Sequence, residues 1–339
     1  MKRVTIEDVA KKVGVTKGLV SRALTGKYNV SDNMRDEITR TAVAMGYDFS
    51  RLRTKRKKRS KCALVMTSEM LLKEDYWRPI IRAITNTLDE EHINLEYFIY
   101  NGGKFGEEEI SKLKGMDASG YIFMNDNPER LVHACESSNR PVVVIDPRYI
   151  LSGRHLQIKY SNYSSFYDLT KMLVSYGHKH FCFYGPFGES ASFTEREQGF
   201  EACIAEHREE GVSADNVIFK NTDGLYADSE HFERLLREKG DITAIVCAND
   251  LIAVNAFRSI KKLGKSVPED YSVVGFDNIY ESGEANFDLT TVNVPRVELG
   301  EEAAKYLAMH ITNKRVKYSQ IVIDCEIVLR GSVRRLTEE

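Results

Sequence analysis

Residues 13–24 read VGVTKGLVSRAL, and this stretch predicts a helix that begins directly after a tight turn. Gly14 and Val15 interrupt the preceding apolar pattern, and Thr16 is a residue type favoured at helix N-caps. The apolar positions that follow recur at helical spacing and form one stripe: Leu19, Val20, Ala23 and Leu24. Four residues face away from that stripe and form what we call the outer edge: Lys17, Gly18, Ser21 and Arg22. The stretch therefore predicts an amphipathic helix with a polar outer edge.

The sequence on either side predicts two more short helices. Upstream, Thr5 followed three residues later by Asp8 is an N-terminal capping pattern. Downstream, Ser31 is expected to cap a third helix, with Gly26 ending the second helix and Gly46 ending the third. The inward positions of the two flanking helices are Ile6, Val9, Ala10 and Val13, then Met34, Ile38, Ala42 and Met45. This pattern predicts a helix-turn-helix, whose second helix enters the major groove of DNA.

The charge of the chain is segregated along its length. Residues 1–61 contain 17 Lys and Arg against 6 Asp and Glu, a net charge of +11, whereas the chain as a whole has a net charge of −2. A basic head on an acidic body is typical of nucleic-acid binding, although a charge run alone is often only a solubilising face. On this interpretation Arg22 reads guanine O6 and N7, a contact that discriminates by about 1–3 kcal/mol. Lys17 contacts a base or a phosphate, and Gly18 lets the backbone approach closely or leaves a base unread.

Two stretches of the head closely resemble the lac repressor (LacI/GalR) family of bacterial transcription regulators: TIEDVAKKVGVTKGLVSRALTG at 5–26 and VSDNMRDEITRTAVAMGY at 30–47. The resemblance places Lys17 and Gly18 at the variable specificity positions of that family and Arg22 at its guanine-reading position. It also implies phosphate contacts from Thr5, Thr16 and Ser21.

Residues 48–61, DFSRLRTKRKKRSK, depart from the family, which has Pro-Asn-x-x-Ala-Arg-x-Leu in this segment. Arg53 takes the place of the small residue, and Arg56 takes the place of the leucine that wedges into the minor groove. Two arginines repel each other and cannot pack helix to helix. The linker then stays disordered and binds phosphates, inserts arginine into a narrow minor groove, or uses Leu52 as a shifted wedge. We favour the first two, which predict a steep salt dependence of DNA binding.

The rest of the chain alternates short apolar runs with helical stretches, which predicts parallel sheets flanked by helices. The expected strands are 62–67, 94–100, 121–125 and 141–146, then 180–185, 216–220, 244–248 and 271–276, with helices such as 77–91, 164–176, 228–239 and 250–263 between them. Motifs such as REQGF and PEDYSVVGFDN resemble the effector domain of the same family. The expected fold class is α/β, with a small all-α helix-turn-helix head and a two-lobed domain like the periplasmic binding proteins.

The domain boundaries follow from these elements. The head is expected at 1–48, the basic linker at 49–61 and the effector-binding and dimerisation domain at 62–339. Lobe 1 is expected at about 62–161 and 294–320, and lobe 2 at about 162–293 and 321–339, so that the chain passes between lobes near 161, 293 and 320.

Five residues are candidates for contacting a small polyhydroxylated effector between the lobes, because ligands of open α/β sheets bind at the carboxyl ends of strands. They are Tyr76, Trp77, Arg196, Asn249 and Asp277. The resemblance matches Arg196, Asn249 and Asp277 to sugar-contacting positions of the family. Two alternatives remain: an Asp or Asn after a strand is commonly a helix cap, which we favour for Asp250, and Trp77 is equally well a core residue. Ser161 stands where the family often has Asp, which predicts the loss of one ligand or interlobe contact.

Several classes of function lack support in the sequence. No phosphate-binding glycine loop or nucleophile elbow is present, so we expect no enzyme and no cofactor. The pair His178 and His180 lacks a third metal ligand, and the six scattered cysteines are expected to be buried thiols in a reducing cytoplasm. No run of 18 apolar residues predicts a membrane span, and the N-terminus lacks the apolar segment of a signal peptide.

The combined pattern predicts a homodimeric repressor of carbohydrate-utilisation genes that binds a pseudo-palindromic DNA operator under control of a sugar-like effector. One alternative is a regulator whose body docks a protein or a non-sugar corepressor. A more distant alternative is a sugar-binding or sugar-modifying protein with an incidental basic head. We expect the protein in the bacterial cytoplasm, associated with the nucleoid.

Overall fold

The computed structural model describes residues 4–25, 30–49, 59–72, 74–102, 106–125, 128–149, 152–186, 188, 190–220, 228–312 and 319–336. The chain divides into two compact units, Met1–Arg59 and Ser60–Glu339. The linker residues Arg53 and Arg56, together with Leu52 and Gly26, lie outside the described residues. No helix in the described ranges combines the length and the apolar character needed to cross a bilayer.

The head unit contains α1 (Ile6–Val13), α2 (Lys17–Leu24) and α3 (Asp32–Ala44). The predicted capping box of α1 is confirmed: the Asp8 amide donates to Thr5 Oγ1 at 3.3 Å, and the Thr5 amide donates to Asp8 Oδ2 at 2.8 Å. Gly14 ends α1 with a φ of 77°, a conformation that favours glycine and makes the tight turn. Thr16 caps α2 as predicted, accepting from the Leu19 amide at 3.2 Å.

The core of the head consists of the predicted apolar stripes, and its fully or nearly buried members are Val9, Ala10, Val20, Ala23, Ile38, Ala42 and Tyr47. One predicted cap is wrong in detail, because Ser31 occupies the N-cap position of α3 without a side-chain hydrogen bond to the helix. The helix nevertheless begins there, since Ile38 and Ala42 pack against the other two helices and fix its position.

The first lobe of the second unit is built on a parallel six-stranded sheet, in the order β12-β5-β4-β3-β1-β2, within the described chain. Its strands are β1 (Ser60–Thr67), β2 (Ile93–Tyr100), β3 (Gly120–Met124), β4 (Val142–Ile145), β5 (Leu156–Tyr160) and β12 (Gln320–Ile323). Its helices are α4 (Glu74–Glu90), α5 (Glu107–Gly115), α6 (Glu129–Glu136) and α11 (Arg296–Thr312). Strands β1, β3 and β4 are apolar and almost wholly buried, as expected of a sheet covered on both faces.

The second lobe repeats this architecture with the sheet order β13-β11-β10-β9-β6-β7, and β8 also pairs with β6. Its strands are β6 (His180–Pro186), β7 (Ser213–Ala214), β8 (Val217–Phe219), β9 (Ala244–Cys247), β10 (Ser272–Asp277), β11 (Thr290–Asn293) and β13 (Glu326–Val328). Its helices are α7 (Asn162–Ser175), α8 (Ala191–Glu206), α9 (Ser229–Glu238) and α10 (Asp250–Lys262). Strand β13 is antiparallel to β11, and the other pairings are parallel.

The chain passes from one lobe to the other after β5, after β11 and after β12. The third passage therefore lies between Ile323 and Glu326 and not near residue 320, because Gln320–Ile323 still pairs with β5 and buries Ile323. Ser161 forms one of the contacts at these passages, since its hydroxyl accepts from the Cys325 amide at 3.2 Å. The substitution of Ser for the family's Asp at 161 thus leaves a bond between the first and third passages.

Candidate DNA and effector sites

The outer edge of α2 lies opposite its buried stripe, as the sequence predicts. Lys17, Gly18 and Arg22 are exposed and Ser21 is half-buried, whereas Val20 and Ala23 are buried on the other side. A Cβ placed on Gly18 would have no neighbouring atom within 4 Å, so the space beside Lys17 is open. The helix is held from behind by α3, because the Arg35 guanidinium donates to the carbonyl of Ala23 at 3.4 Å.

The two threonines predicted to contact phosphate are exposed but already serve as helix caps. Thr5 accepts from the Asp8 amide and also donates its hydroxyl to Asp8 Oδ2 at 2.6 Å, and Thr16 accepts from the Leu19 amide. Both lie at helix N-termini, where backbone N–H groups and the helix dipole attract anions. A phosphate contact at these positions therefore draws on the backbone of the helix end as well as on the hydroxyl.

One charged residue beside the outer edge was not identified from the sequence. The carboxylate of Glu7, on α1, lies 3.9 Å from the Lys17 ammonium, and both side chains are more than half exposed. Sequence patterns mark Glu7 only as an outward position in the first turn of α1. The tertiary packing of α1 on α2 brings it beside the outer edge.

Between the lobes, Arg196 forms the centre of a polar cluster. Its Nε donates to Asn162 Oδ1 at 2.9 Å, and its Nη1 donates to the carbonyl of Ala248 at 2.9 Å. Its Nη2 lies 3.6 Å from Asp277 Oδ1, and its guanidinium stacks 3.8 Å from the ring centroid of Phe276. The side chain is almost fully buried, so these contacts fix its position.

Asp277 sits at the carboxyl end of β10 in a strained turn. Its φ is 111° and that of Asn278 is 50°, a conformation that residues other than glycine rarely adopt. The turn is held by Asn278, whose Nδ2 donates to Asn293 Oδ1 at 3.0 Å and whose Oδ1 accepts from Arg330 at 2.7 Å. Backbone strain that neighbouring bonds maintain is a common property of binding sites.

Tyr76 and Arg296 bring lobe 1 to the same cluster. The Arg296 guanidinium lies 4.9 Å from the centroid of the Tyr76 ring and donates to the backbone carbonyl of Asp277. Burial, followed by the nearby Tyr160, Asp277 and Asp146, raises the pKa of the Tyr76 hydroxyl well above its usual value. Trp77 packs edge-on against Tyr76 at 4.8 Å between centroids, but it is only 6% exposed and belongs to the hydrophobic core.

The predicted helix cap at Asp250 is wrong, because Asn249 takes that position. Asn249 caps α10, its Oδ1 accepting from the Ile252 amide at 3.0 Å. Asp250 is fully buried instead, where it accepts from the Ile279 amide at 3.0 Å and from the Thr291 hydroxyl at 2.6 Å. Burial, and next the charge of Asp277, raises the pKa of Asp250 to about 7. Either residue type can cap a helix, so only the partners offered by β10 and β11 decide between them.

Three contacts join the lobes directly and were not identified from the sequence. The Ser192 hydroxyl donates to Asp146 Oδ1 at 2.6 Å, and the Ala191 amide donates to the carbonyl of Arg148 at 2.7 Å. Lys159 of β5 forms an ion pair with Glu195 of α8. Asp146 follows strand β4 directly, so its place at a strand end is a signal that could have identified it.

His178 is a structural residue. It is fully buried, with Nδ1 2.9 Å from the Thr243 hydroxyl and Nε2 3.1 Å from the carbonyl of Arg334. Within the described ranges, no cluster of three or more metal-binding side chains is found. All six cysteines are free thiols, as the sequence predicts, and five of them are buried.

The head has three helices and an exposed outer edge that carries Lys17 and Arg22, and the two α/β lobes of the second unit meet at a polar cluster. These features define a DNA-binding regulator with a ligand-binding body. Two family models match in these places: bacterial regulatory proteins of the lacI family at residues 5–48, and a periplasmic binding protein-like domain at residues 170–333. The chain thus carries a LacI-family DNA-binding domain and a periplasmic binding protein-like domain, and it is a DNA-binding transcription regulator.

Relatives of known name match along almost the whole chain. The HTH-type transcriptional repressor CytR of Escherichia coli (strain K12) is 27% identical, covering 98% of this chain and 97% of that protein. The HTH-type transcriptional repressor PurR of Mannheimia succiniciproducens is 28% identical, covering 98% and 99%.

Solved structures share the fold. A transcriptional regulator CelR–cellobiose complex superposes with a TM-score of 0.66 at 24% identity, covering 97% of this chain and 100% of that chain. The lac repressor dimer bound to operator and the anti-inducer ONPF superposes with a TM-score of 0.65 at 22% identity, covering 98% and 100%.

Proposed function

We propose that this protein is a repressor of carbohydrate-utilisation genes whose affinity for its operator changes when a sugar-like effector binds between the lobes. The observation that carries the proposal is the polar cluster at the strand ends, to which lobe 1 contributes Tyr76 and Asp146 and lobe 2 contributes Arg196 and Asp277. Carboxylates and guanidinium groups bind vicinal hydroxyls, and an aromatic ring packs on the apolar face of a pyranose. The sugar-bound CelR relative supports this choice of ligand.

The effector contacts that we propose are Tyr76, Trp77, Arg196, Asn249 and Asp277. Arg196 and Asp277 are the strongest of the five, because both are buried or nearly buried and oriented by other side chains. Asn249 would contact an effector through its amide nitrogen, since its Oδ1 caps α10. Trp77 is the weakest of the five, because it is 6% exposed in the core and reaches the cluster only through its edge contact with the Tyr76 ring.

On DNA, we propose that Lys17, Gly18 and Arg22 face base edges and that Thr5, Thr16 and Ser21 contact phosphates. The linker arginines 53 and 56 add phosphate contacts. A homodimer presents two heads to a pseudo-palindromic operator, because protein two-fold symmetry requires matching half-sites. The lac repressor dimer on its operator supports this arrangement. A DNA-binding regulator acts on the chromosome, so we place this protein in the bacterial cytoplasm, on the nucleoid. We assign it no enzymatic activity.

Effector control requires that the two lobes bind the effector differently in the DNA-bound and free states. The required coupling is about 1–3 kcal/mol, which changes operator affinity roughly 5- to 150-fold. The lobes touch directly through Asp146, Lys159 and their partners on α8, so an effector that bridges them alters their relative position.

A thermal-shift screen of mono- and disaccharides tests the proposal. A ligand at 100 times its Kd stabilises the folded protein by about 2.7 kcal/mol. We expect one sugar to raise the melting temperature of the natural protein and to have no effect on the Asp277→Asn variant. Asp241→Asn is the matched control, because Asp241 is exposed and lies away from the cluster, beside His180. Stabilisation by a nucleobase or a protein partner, with none by sugars, would favour the alternative corepressor.

A further inference from the structure

The exposed pair formed by Glu7 and Lys17 has a place on the DNA-facing surface that stability does not explain. The two charged atoms are 3.9 Å apart, with side-chain exposures of 59% for Glu7 and 69% for Lys17. Exposed ion pairs contribute little to the folded state, because water screens them and both side chains lose conformational freedom. A carboxylate on a surface that approaches phosphates also repels them and weakens non-specific DNA binding. The helix dipole favours a carboxylate in the first turn of α1, but that effect does not require Glu7 to lie beside Lys17.

The position of Lys17 indicates which part of the DNA lies near Glu7. It is the first residue of α2, and the N-terminal residues of a recognition helix are the ones that contact base edges in the major groove. Because Glu7 lies beside Lys17, its carboxylate approaches the same base edges. Gly18 leaves open space at this point, since a Cβ there would meet nothing within 4 Å. A base pair can therefore come close to both charged groups.

We propose that Glu7 and Lys17 together read one G·C pair in each half-site. This inference rests on the DNA-binding function of the head. In the major groove, guanine presents the acceptors O6 and N7, and the N4 amino group of its cytosine partner is a donor beside them. Guanine O6 and cytosine N4 are hydrogen-bonded at about 2.9 Å. An ammonium and a carboxylate 3.9 Å apart match this edge, with Lys17 donating to guanine O6 or N7 and Glu7 accepting from cytosine N4.

The pair also explains why an acidic residue is tolerated there. A carboxylate favours cytosine in the major groove because cytosine presents an amino donor with no acceptor on the same base, whereas adenine presents N6 together with the acceptor N7. An amide at the same position favours adenine, to which Gln binds in bidentate fashion. The chemistry at position 7 therefore determines which base pair is preferred.

The test is a selection of duplexes from a random library by the full-length protein, followed by fluorescence anisotropy on the selected duplex and on its single-base-pair variants. For the natural protein we expect a preference for G·C of at least fivefold at one position of each half-site. In Glu7→Ala that preference falls below twofold, and in Glu7→Gln it moves towards A·T. Lys17→Gln weakens the preference at the same position.

Glu37→Gln is the matched control, because Glu37 is an exposed carboxylate on α3 and its loss changes the charge of the head equally. It raises affinity for all duplexes without changing the selected sequence. Identical selected sequences for the natural protein and Glu7→Ala overturn the proposal, as do changes at different positions for the Glu7 and Lys17 variants. A natural protein that selects no sequence at all overturns the DNA-reading function as well, so the two failures are distinguishable.

Discussion

Arg196 was predicted from the sequence as an effector contact, and its surroundings explain both its burial and its limits in that role. Asn162 and the carbonyl of Ala248 already bind two of its nitrogens, and Phe276 covers one face of the guanidinium. An effector therefore meets a fixed cation whose remaining N–H groups point towards Asp277. A pre-positioned side chain loses little entropy on binding, which strengthens the hydrogen bonds it makes.

Replacing Arg22 tests the reading of guanine at the single-residue scale. Arg22 is exposed on the outer edge, so Arg22→Ala removes the guanidinium group without creating a cavity in the core. We expect the variant to lose about 1–3 kcal/mol of discrimination between the selected duplex and one with the guanine replaced. Fluorescence anisotropy measures both affinities. Arg40→Ala, at an exposed position of α3, serves as the control. Unchanged discrimination would mean that the head does not read guanine through α2.

His178 predicts a loss of stability in acid. Burial, joined by the charge of Arg334, lowers the pKa of its imidazole to about 4 from a usual 6.5. The unfolded chain therefore binds a proton below pH 6.5 while the folded protein does not, and stability falls as the pH drops from 6.5 to 4. The loss is as much as about 3 kcal/mol. Urea unfolding at pH 7.5 and 5 measures it.

A second buried group changes stability in the opposite direction over the whole of this range, so variants are needed to separate the two. Burial raises the pKa of Asp250 from 3.8 to about 7, so between these pH values the folded protein holds a proton that the unfolded chain has lost, and the stability from this group falls as the pH rises from about 4 to 7. When the pH is lowered from 7.5 to 5, His178→Asn, whose side chain does not titrate, should gain stability relative to the natural protein, whereas His180→Gln should follow the natural protein because its side chain is exposed. An identical pH response in the two variants would contradict the assignment to His178.

Local chemistry made the caps at Thr5 and Thr16 predictable, because each side chain bonds to a backbone amide within three residues. The same local rules could not separate Asn249 from Asp250, since both are good caps. The choice depends on Thr291, which is 41 residues away along the chain and donates to Asp250. The ion pair of Glu7 with Lys17 has the same origin, since it requires the packing of two helices.

At the scale of elements, two helix pairs pack closely because a glycine lies at each contact. A Cβ on Gly199 of α8 would come 2.1 Å from the carbonyl oxygen of Tyr163, and a Cβ on Gly300 of α11 would come 2.5 Å from that of Ile80. Both neighbours are backbone atoms, which cannot rotate away. Each lobe thus has one helix pair whose spacing is set by the absence of a side chain.

Gly300→Ala should therefore destabilise the protein although alanine is the better helix former. We expect a loss of about 1–3 kcal/mol in the free energy of unfolding, the usual effect of overpacking. Gly18→Ala is the matched control, because open space surrounds Gly18 and alanine gains about 1 kcal/mol in a helix. Chemical denaturation of both variants gives the comparison. A stabilised Gly300→Ala protein would show that α4 and α11 separate without penalty.

Strong hydrophobic runs allowed most strands and helices to be predicted, including β1, β3, β6, β9 and α10. The elements that were not predicted individually are short or only partly buried. Strand β12 reads QIVI, and its three β-branched apolar residues favour a strand without showing which sheet it joins, so the boundary near 320 was placed three residues early. Strand β12 belongs to lobe 1 because it pairs with β5, which lies some 160 residues earlier in the chain. The local sequence around β12 does not indicate that partner.

At the scale of the whole effector-binding unit, the lobes are joined by contacts that need no ligand. Asp146 with Ser192, and Lys159 with Glu195, connect lobe 1 to the first turns of α8. Asn162 also donates to Glu195 at 3.3 Å, so the same helix end is bound from three directions. The unit is thus held closed in part by its own side chains, and an effector adds to a closure that already exists.

Breaking the Lys159–Glu195 pair should shift the ligand-free protein towards an open arrangement of the lobes. Both side chains are only 23% and 22% exposed, so the pair is less screened than a surface pair. A loss of about 1 kcal/mol from the free energy that favours the closed arrangement changes the ratio of closed to open molecules roughly fivefold. We expect small-angle scattering to give a larger radius of gyration for Lys159→Ala than for the natural protein.

Lys179→Ala is the control, because its pair with Glu210 lies within lobe 2. Glu195→Ala should have at least as large an effect, because it also removes the hydrogen bond from Asn162, and the double variant should add little to Glu195→Ala. Scattering curves that are identical for the natural protein and all of these variants would mean that the polar cluster around Arg196 holds the lobes without this ion pair.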